Sequence, residues 1–202
     1  MRVMVILAHP HPGKASFNHA IAQTAVKTLE NNGHEVIFHD LYAEKFDPII
    51  PHEEIPEDAR LSNDIEQHCR EISSADGIIL VHPNWWGQPP AIMKGWVDRV
   101  IRPGVAYRFL EEENGVGIPQ GLLIAKAALV FNTCNTPGEW ETKEFGDPLE
   151  TIWKNCIFRF CGVKNFYRRM FGVIITSTLK EREEWLEEVK QTVGKYFPSG
   201  RV

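Results

Sequence analysis

The 202-residue chain has no histidine after position 82, although it contains eight in all. A metal-dependent hydrolase that gathers imidazoles from successive strand ends is therefore disfavoured, because His9-x-His11 finds no later histidine to complete a three-ligand site. The four cysteines, Cys69, Cys134, Cys156 and Cys161, contain no C-x-x-C pair, which excludes a zinc ribbon and a small disulfide framework and leaves reduced thiols in a cytoplasmic protein as the expectation. There is no block of basic residues either. Lys and Arg total 22 against 27 Asp and Glu, a formal charge of −5, so nucleic acid and anionic membrane surfaces are poor partners. No apolar run approaches the ~18 residues that span a bilayer, so membrane insertion is not expected. The sequence also lacks G-x-G-x-x-G followed by a helix and G-x-x-x-x-G-K-[ST], the two common phosphate-loop patterns.

What is present is an ordinary globular composition, 43% hydrophobic and 24% charged, in a regular alternation of strand and helix signals. Val3 to Ala8 is a short continuous apolar run, the pattern of a strand covered on both faces. Directly followed by His9-Pro-His-Pro12, it reads as a buried strand and not as a targeting segment. Ser16 can cap a helix with apolar positions at Ala20, Ile21, Ala25, Val26 and Leu29, ended by Asn31-Asn32-Gly33. Strand two follows at Glu35 to His39, and the proline-bearing residues 41–60 form an irregular excursion. A helix from about Ser62 to Ser73 leads to strand three, Ile78 to Val81, and a further helix starts near Pro89-Pro90 and runs through Val100. Residues 103–121 are rich in glycine and charge. Strand four is Ala127 to Phe131, Thr133 to Asp147 a long loop, Leu149 to Phe160 a helix, Gly172 to Ile175 strand five, and Glu181 to Tyr196 a closing helix. Strict alternation implies one α/β domain over 1–202, a doubly wound five-stranded parallel sheet with helices on both faces.

In such a sheet, ligands bind outside the carboxyl ends of the strands, where the strand order reverses. Three loops qualify. The first, His9 to Asn18, sets Ser16, Asn18 and His9 at a helix N-terminus, a place suited to phosphate, although Ser16 and Gly13 could also serve only as cap and turn. In the second, His82-Pro-Asn-Trp-Trp-Gly-Gln-Pro-Pro-Ala91, two adjacent tryptophans cannot both enter the core. One must face outward unless a flat ligand or a subunit contact covers it. The third follows Asn132. Gly115-Val-Gly117-Ile-Pro-Gln-Gly121 superficially matches a dinucleotide loop, but no strand precedes it and no helix follows, so it reads as a turn.

Together these residues resemble the NAD(P)H:quinone oxidoreductases of flavodoxin-like fold, the DT-diaphorase family and its smaller bacterial relatives. Three motifs carry the resemblance: Ala8-His9 through Ser16-Phe-Asn18; Pro83-Asn-Trp-Trp-Gly87 with Pro90-Ala-Ile-Met-Lys-Gly-Trp-Val-Asp-Arg99; and Ala106-Tyr-Arg-Phe109, with weaker echoes at Gly146-Asp147 and Phe160-Cys-Gly162. It implies a strand order 2-1-3-4-5, a bound flavin, FAD in preference to FMN, NAD(P)H as co-substrate and a quinone-like acceptor. It also implies a homodimer with its active sites at the interface. By the same resemblance, His9, Ser16, Phe17 and Asn18 hold the flavin phosphates, Pro83, Asn84, Trp85 and Trp86 lie along the ring, and Thr133, Cys134, Asn135 and Thr136 bind its pyrimidine edge. Tyr107 and Phe109 match aromatics lent by the partner subunit to the substrate pocket, and the Lys94-Gly-Trp96 helix is mostly structural.

The chain departs from its larger relatives in one place. They carry a tyrosine and a histidine after strand four, proposed to manage charge on the reduced flavin; here Phe145 stands in place of the histidine and Glu139-Trp140 near the tyrosine. The expected mechanism is ping-pong hydride transfer from NAD(P)H through flavin N5 to the acceptor. Other readings are a flavin-bearing regulatory subunit of a membrane transporter, an electron-carrying flavodoxin, and a flavin-free interaction module. Beyond His9 in the phosphate loop and His82 beside the ring loop, the histidines are expected on the surface or on helices.

Overall fold

In the computed structural model, which describes residues 1–11, 16–110 and 117–200, the apolar runs of the sequence become the inner strands of a parallel sheet. β1 (Arg2–Leu7), β3 (Gly77–Pro83) and β6 (Ala127–Thr133) are buried almost throughout. β2 (Glu35–Asp40) and β7 (Asn165–Phe171) are the more polar outer strands. The order is β2-β1-β3-β6-β7, all parallel, which becomes the expected 2-1-3-4-5 once only the sheet strands are counted. The two remaining strands, β4 (Tyr107–Leu110) and β5 (Ile118–Gly121), form a separate antiparallel hairpin.

Successive side chains of a strand point to opposite faces, so each inner strand feeds two cores. Val3, Val5 and Leu7 meet α1 (Phe17–Asn31) and α6 (Leu179–Tyr196), whose Ile21, Ala25, Leu29, Val189 and Val193 are fully buried. Met4, Ile6 and Ala8 face α2 (Asn63–Ser74) and α3 (Ala91–Val100), together with Trp153 and Phe158. Burial of each large side chain at these positions contributes about 1.5–3 kcal/mol. Local signals agree with the packing. Ser16 Oγ accepts the His19 N–H at the start of α1, and Thr178 with Glu181 forms a reciprocal capping box on α6.

The excursion over 41–60 contains a single turn of 3₁₀ helix, His52–Glu54, and is held down by α3. A Cβ on Gly95 would lie 2.2 Å from the Pro48 carbonyl oxygen, so the glycine admits the excursion's backbone against the helix. The Arg99 guanidinium then donates to both carboxylate oxygens of Glu54, at 2.9 and 2.5 Å, and to the Asp47 carbonyl; Arg102 donates to the carbonyls of Glu54 and Pro56.

Four expectations need correction. The fifth strand is Asn165–Phe171, and Gly172 to Ile175 is a loop with Ile175 largely exposed. At a sheet edge a strand need not read as an apolar run: the Arg168 and Arg169 side chains find carboxylates at Asp147, Glu150 and Glu188. The long loop after β6 contains α4 (Gly138–Lys143), six residues without apolar periodicity. The helix after it begins at Pro148–Glu150 (α5) and continues as a π-helix over Thr151–Arg159. Residues 103–121 contribute the β4–β5 hairpin; the tip, 111–116, and the first-loop residues 12–15 lie outside the described residues.

Candidate active site

Three strand ends meet at the top of β1, β3 and β6. Loop one enters α1 through Ser16, whose oxygen contacts both the His19 N–H and His19 Nδ1. The first N–H groups of a helix have no intrahelical acceptor and carry its positive dipole end, so this edge favours an anion. His9 is kept below its ordinary pKa by burial and by neighbouring His19 and His11, with Asp40 opposing. Its Nδ1 accepts the His11 N–H at 3.1 Å, which leaves Nε2–H as the donor of the neutral ring.

Loop two turns back within four residues. Trp85 and Gln88 exchange both backbone hydrogen bonds at 3.0 Å, with Trp86 at φ 56° and Gly87 at φ 69°. This is the left-handed pair of a type I′ turn, and a Cβ on Gly87 would also press within 2.7 Å of the Pro148 ring. The turn throws the Trp86 indole entirely into solvent, 101% exposed, and leaves Trp85 at 43%. Loop three is tied down from both sides: Cys134 N–H donates to the Phe171 carbonyl, Ile174 N–H to the Cys134 carbonyl, and Ile175 N–H to Asn135 Oδ1. Loop two joins it through the Asn84 N–H, which donates to the Thr133 carbonyl at 2.6 Å.

A crevice of about 370 Å³ opens between them. His9, Ser16, Phe17 and Asn18 line it from loop one; Pro83, Asn84 and Trp85 from loop two; Thr133, Cys134, Asn135 and Thr136 from loop three. Of the expected cofactor contacts, Trp86 alone is outside it. It lines an adjoining apolar cavity of about 580 Å³ with Gly87, Trp140, Glu141, Phe145 and Pro148, and Asn84 and Thr136 border both spaces. Tyr107 and Phe109 line neither. They sit on the hairpin against Phe160, with ring centroids 5.0 and 6.4 Å away, and Phe109 is 57% exposed.

Two residues of the crevice were not anticipated. Ile174 belongs to the segment read as strand five, which hid it. Arg182 lies in the first turn of α6; its guanidinium donates to Ser177 Oγ and to the Ile174 carbonyl and lies 5.9 Å over the Phe17 ring. No local motif marks a cation brought in by a helix about 160 residues beyond loop one.

The histidines are more deeply placed than expected. His82 is fully buried behind loop two, where it accepts the Trp153 Nε1–H at 3.0 Å and contacts the Pro83 carbonyl; burial pushes it down to about 4. His39 and His68 are buried, with ring centroids 4.0 Å apart and planes tilted by 37°. Burial opposes a charge on His39, yet hydrogen bonds to Glu44 and Glu71 raise it; His68 is lowered to about 4 by burial and by His39. His39, Glu44 and His68 could each offer a ligand atom, all within 4.8 Å. The Trp96 Nε1–H, however, donates to His68 Nδ1 at 3.1 Å, so a neutral His68 carries its proton on Nε2, the nitrogen turned toward Glu44. That nitrogen is a donor, and the cluster reads as a hydrogen-bonded network.

The crevice also has the chemistry to take a planar heterocycle with phosphates. Asn18 Oδ1 and Asn84 Oδ1 are buried with no hydrogen-bond partner among the described residues, and such atoms cost about 1–3 kcal/mol unless a ligand or water satisfies them. Asn18 itself is fixed by donating to Thr133 Oγ1 at 2.9 Å. The donors at the α1 end, the two unpartnered amide oxygens and the flat wall of Trp85 together fit a flavin.

The flavodoxin-like fold family matches residues 1–196. An uncharacterized NAD(P)H oxidoreductase of Haemophilus influenzae is 37% identical over 95% of this chain and 93% of its own length. The mouse ribosyldihydronicotinamide dehydrogenase [quinone] is 30% identical over 94% and 90% respectively. The chain spans only 65% of the rat NAD(P)H dehydrogenase [quinone] 1, to which it is 32% identical. Among solved structures, the NAD(P)H:quinone oxidoreductase of Methanothermobacter marburgensis shares the fold with TM-score 0.81 at 24% identity, covering 96% of this chain and 95% of that one. An FMN-dependent NADH-azoreductase from Bacillus anthracis, solved with FMN, shares it with TM-score 0.77 at 13% identity, covering 98% of this chain and all of the other.

Proposed function

This chain belongs to the flavodoxin-like NAD(P)H:quinone oxidoreductases, and on that premise we propose that it reduces quinone-like acceptors with NAD(P)H through a flavin seated in the three-loop crevice. The observation that carries the reading is the convergence of the expected contacts from all three loops on one crevice with two unpartnered amide oxygens.

The flavin supplies a two-electron relay between a hydride donor and an acceptor. The chain supplies the rest. Ser16, the start of α1, His9 Nε2 and Arg182 face the phosphate end; Trp85 walls the ring; backbone groups of Thr133 to Thr136 and the oxygens of Asn18 and Asn84 meet its polar edge. The match of loop one favours FAD, and the mass of the released cofactor decides between FAD and FMN. Trp86, Trp140 and Phe145 present an apolar slot where flat donor and acceptor can stack in turn, held near 3–3.5 Å from the reacting atoms. One shared place means that the oxidised nicotinamide leaves before the acceptor enters. Double-reciprocal plots at several acceptor concentrations are therefore expected to be parallel, and intersecting lines would exclude the shared site.

A homodimer completes the pocket in this reading. Phe109, Leu110 and Ile118 of the hairpin are exposed apolar residues with no role in their own crevice, as suits a segment that covers the neighbouring subunit's slot. The four unpaired cysteines support a reducing compartment such as the cytoplasm, and among the described residues no helix is long and apolar enough to cross a membrane.

A further inference from the structure

Reduction of a quinone to a hydroquinone consumes a hydride and a proton, and the slot contains one side chain able to carry that proton. The geometry points to Glu141 as the residue that delivers it, an inference that rests on the quinone-reductase reading. Glu141 lines the 580 Å³ cavity among Trp86, Trp140, Phe145 and Pro148, and among the described residues no other lining residue of that cavity is ionisable. It is 5% exposed, its carboxylate has no hydrogen bond or ion pair among the described residues, and its oxygens are not sealed in the core, so water reaches them through the cavity.

Its backbone is fixed. The Glu141 N–H donates to the Pro137 carbonyl, and the Glu141 carbonyl accepts the Asp147 N–H at 2.7 Å. Asp147 is in turn bound by the buried Arg168 of β7, which also reaches Glu150 and Asn132. A carboxylate fixed by its backbone beside an apolar slot, and open to water there, can give a proton to a molecule in the slot and regain one from solvent.

The neighbouring charged groups are otherwise engaged. Arg168 is committed to Asp147 and Glu150, Lys143 to Glu139, and the Cys134 thiol donates to the Thr136 carbonyl. Burial, the largest influence on the Cys134 thiol, raises it, so the thiol keeps its proton. His82 is shut behind loop two by Trp153, so no imidazole competes.

The C–H bond of the dihydronicotinamide breaks with its electron pair and oxidises NAD(P)H to NAD(P)⁺; the acceptor gains that pair with one hydrogen. The Glu141 O–H bond breaks as a new O–H bond forms on the acceptor oxygen, and the carboxylate takes its next proton from water. The sum is NAD(P)H, one proton and a quinone giving NAD(P)⁺ and a hydroquinone.

The test uses Glu141→Gln, Glu141→Asp and, as a control on the exposed face of the same helix, Glu139→Gln. In anaerobic stopped flow on flavin-loaded protein, Glu141→Gln slows reoxidation by menadione by about 10²-fold or more, the typical worth of a general acid. Reduction by NADH stays within about twofold, Glu141→Asp recovers part of the loss, and Glu139→Gln matches the parent. Reoxidation unchanged in Glu141→Gln, or an equal loss in both half-reactions, would overturn the inference. A second arm needs neither flavin nor turnover. The parent protein binds para-nitrophenol as the neutral phenol, sharing its proton with the carboxylate and losing the visible phenolate band, whereas Glu141→Gln binds the coloured phenolate. The same band in both proteins also overturns it. Failure to bind flavin would sink the quinone-reductase reading alone, since the phenol arm still reports on Glu141.

Discussion

His82 stands next to the ring loop in sequence but makes its contacts in the other direction, with Trp153 and the Pro83 carbonyl. Because burial pushes its pKa to about 4, the folded state holds it neutral while the unfolded chain protonates it near 6.5. A depressed histidine contributes stability that is complete above pH 6.5 and is lost as pH falls toward 4. The loss is on the order of 3 kcal/mol, from about 1.4 kcal/mol per pKa unit. His82→Gln keeps an acceptor for Trp153 without the titration, so urea midpoints followed from pH 7 to 4 should fall less steeply in the variant. An unchanged slope would show that His82 is not the group responsible. His39 acts in the opposite sense, because its raised pKa contributes stability that is complete below 6.5 and is lost as pH rises through the folded value. At this scale the motif residues were legible because their chemistry is local: a cap, a turn, two adjacent tryptophans. Arg182 was not, since it owes its place to a distant helix packing beside the crevice, and Glu141 was not, since the short α4 that turns it into the slot has no apolar periodicity.

At the scale of elements, the inner strands and long helices could be read from pattern because burial on one or both faces imposes it. β7 escaped for the converse reason. Its partly buried residues place two adjacent arginines, Arg168 and Arg169, among aromatic residues and not in an apolar run, and a nearby apolar stretch, Gly172 to Ile175, carried the stronger strand signal while its Ile174 lines the crevice. The irregular excursion shows how a segment without secondary structure keeps its shape. The Arg99–Glu54 pair is about 93% buried on both sides and binds the excursion to α3. Arg99→Met should cost about 3–5 kcal/mol in urea unfolding, because it strands a buried carboxylate, and Glu54→Gln on that background should recover part of the loss. A cost below about 1 kcal/mol would mean that water reaches the pair and that the excursion is held by its prolines and by the Gly95 contact.

For the whole molecule, the sheet order places the crevice at the reversal between β1 and β3, where the Asn84 N–H ties loop two to loop three through the Thr133 carbonyl and the Asn18 side chain ties α1 to Thr133. Trp86, Trp140 and Phe145 are exposed in the slot beside the crevice and Phe109 on the hairpin, and a dimer would bring the second place over the first. Light scattering should therefore give twice the 23.1 kDa chain mass for the parent and the single mass for Phe109→Glu, with an unchanged unfolding midpoint per chain and lower quinone reduction. A monomeric parent with full activity would remove the partner from the site. The most direct test of the central claim is spectroscopic. Protein incubated with FAD or FMN and then desalted should retain the visible flavin band, bleach it when NAD(P)H is added without oxygen, and regain it on addition of a quinone. A colourless protein after exposure to both flavins, or a bound flavin that NAD(P)H leaves oxidised, would contradict the account.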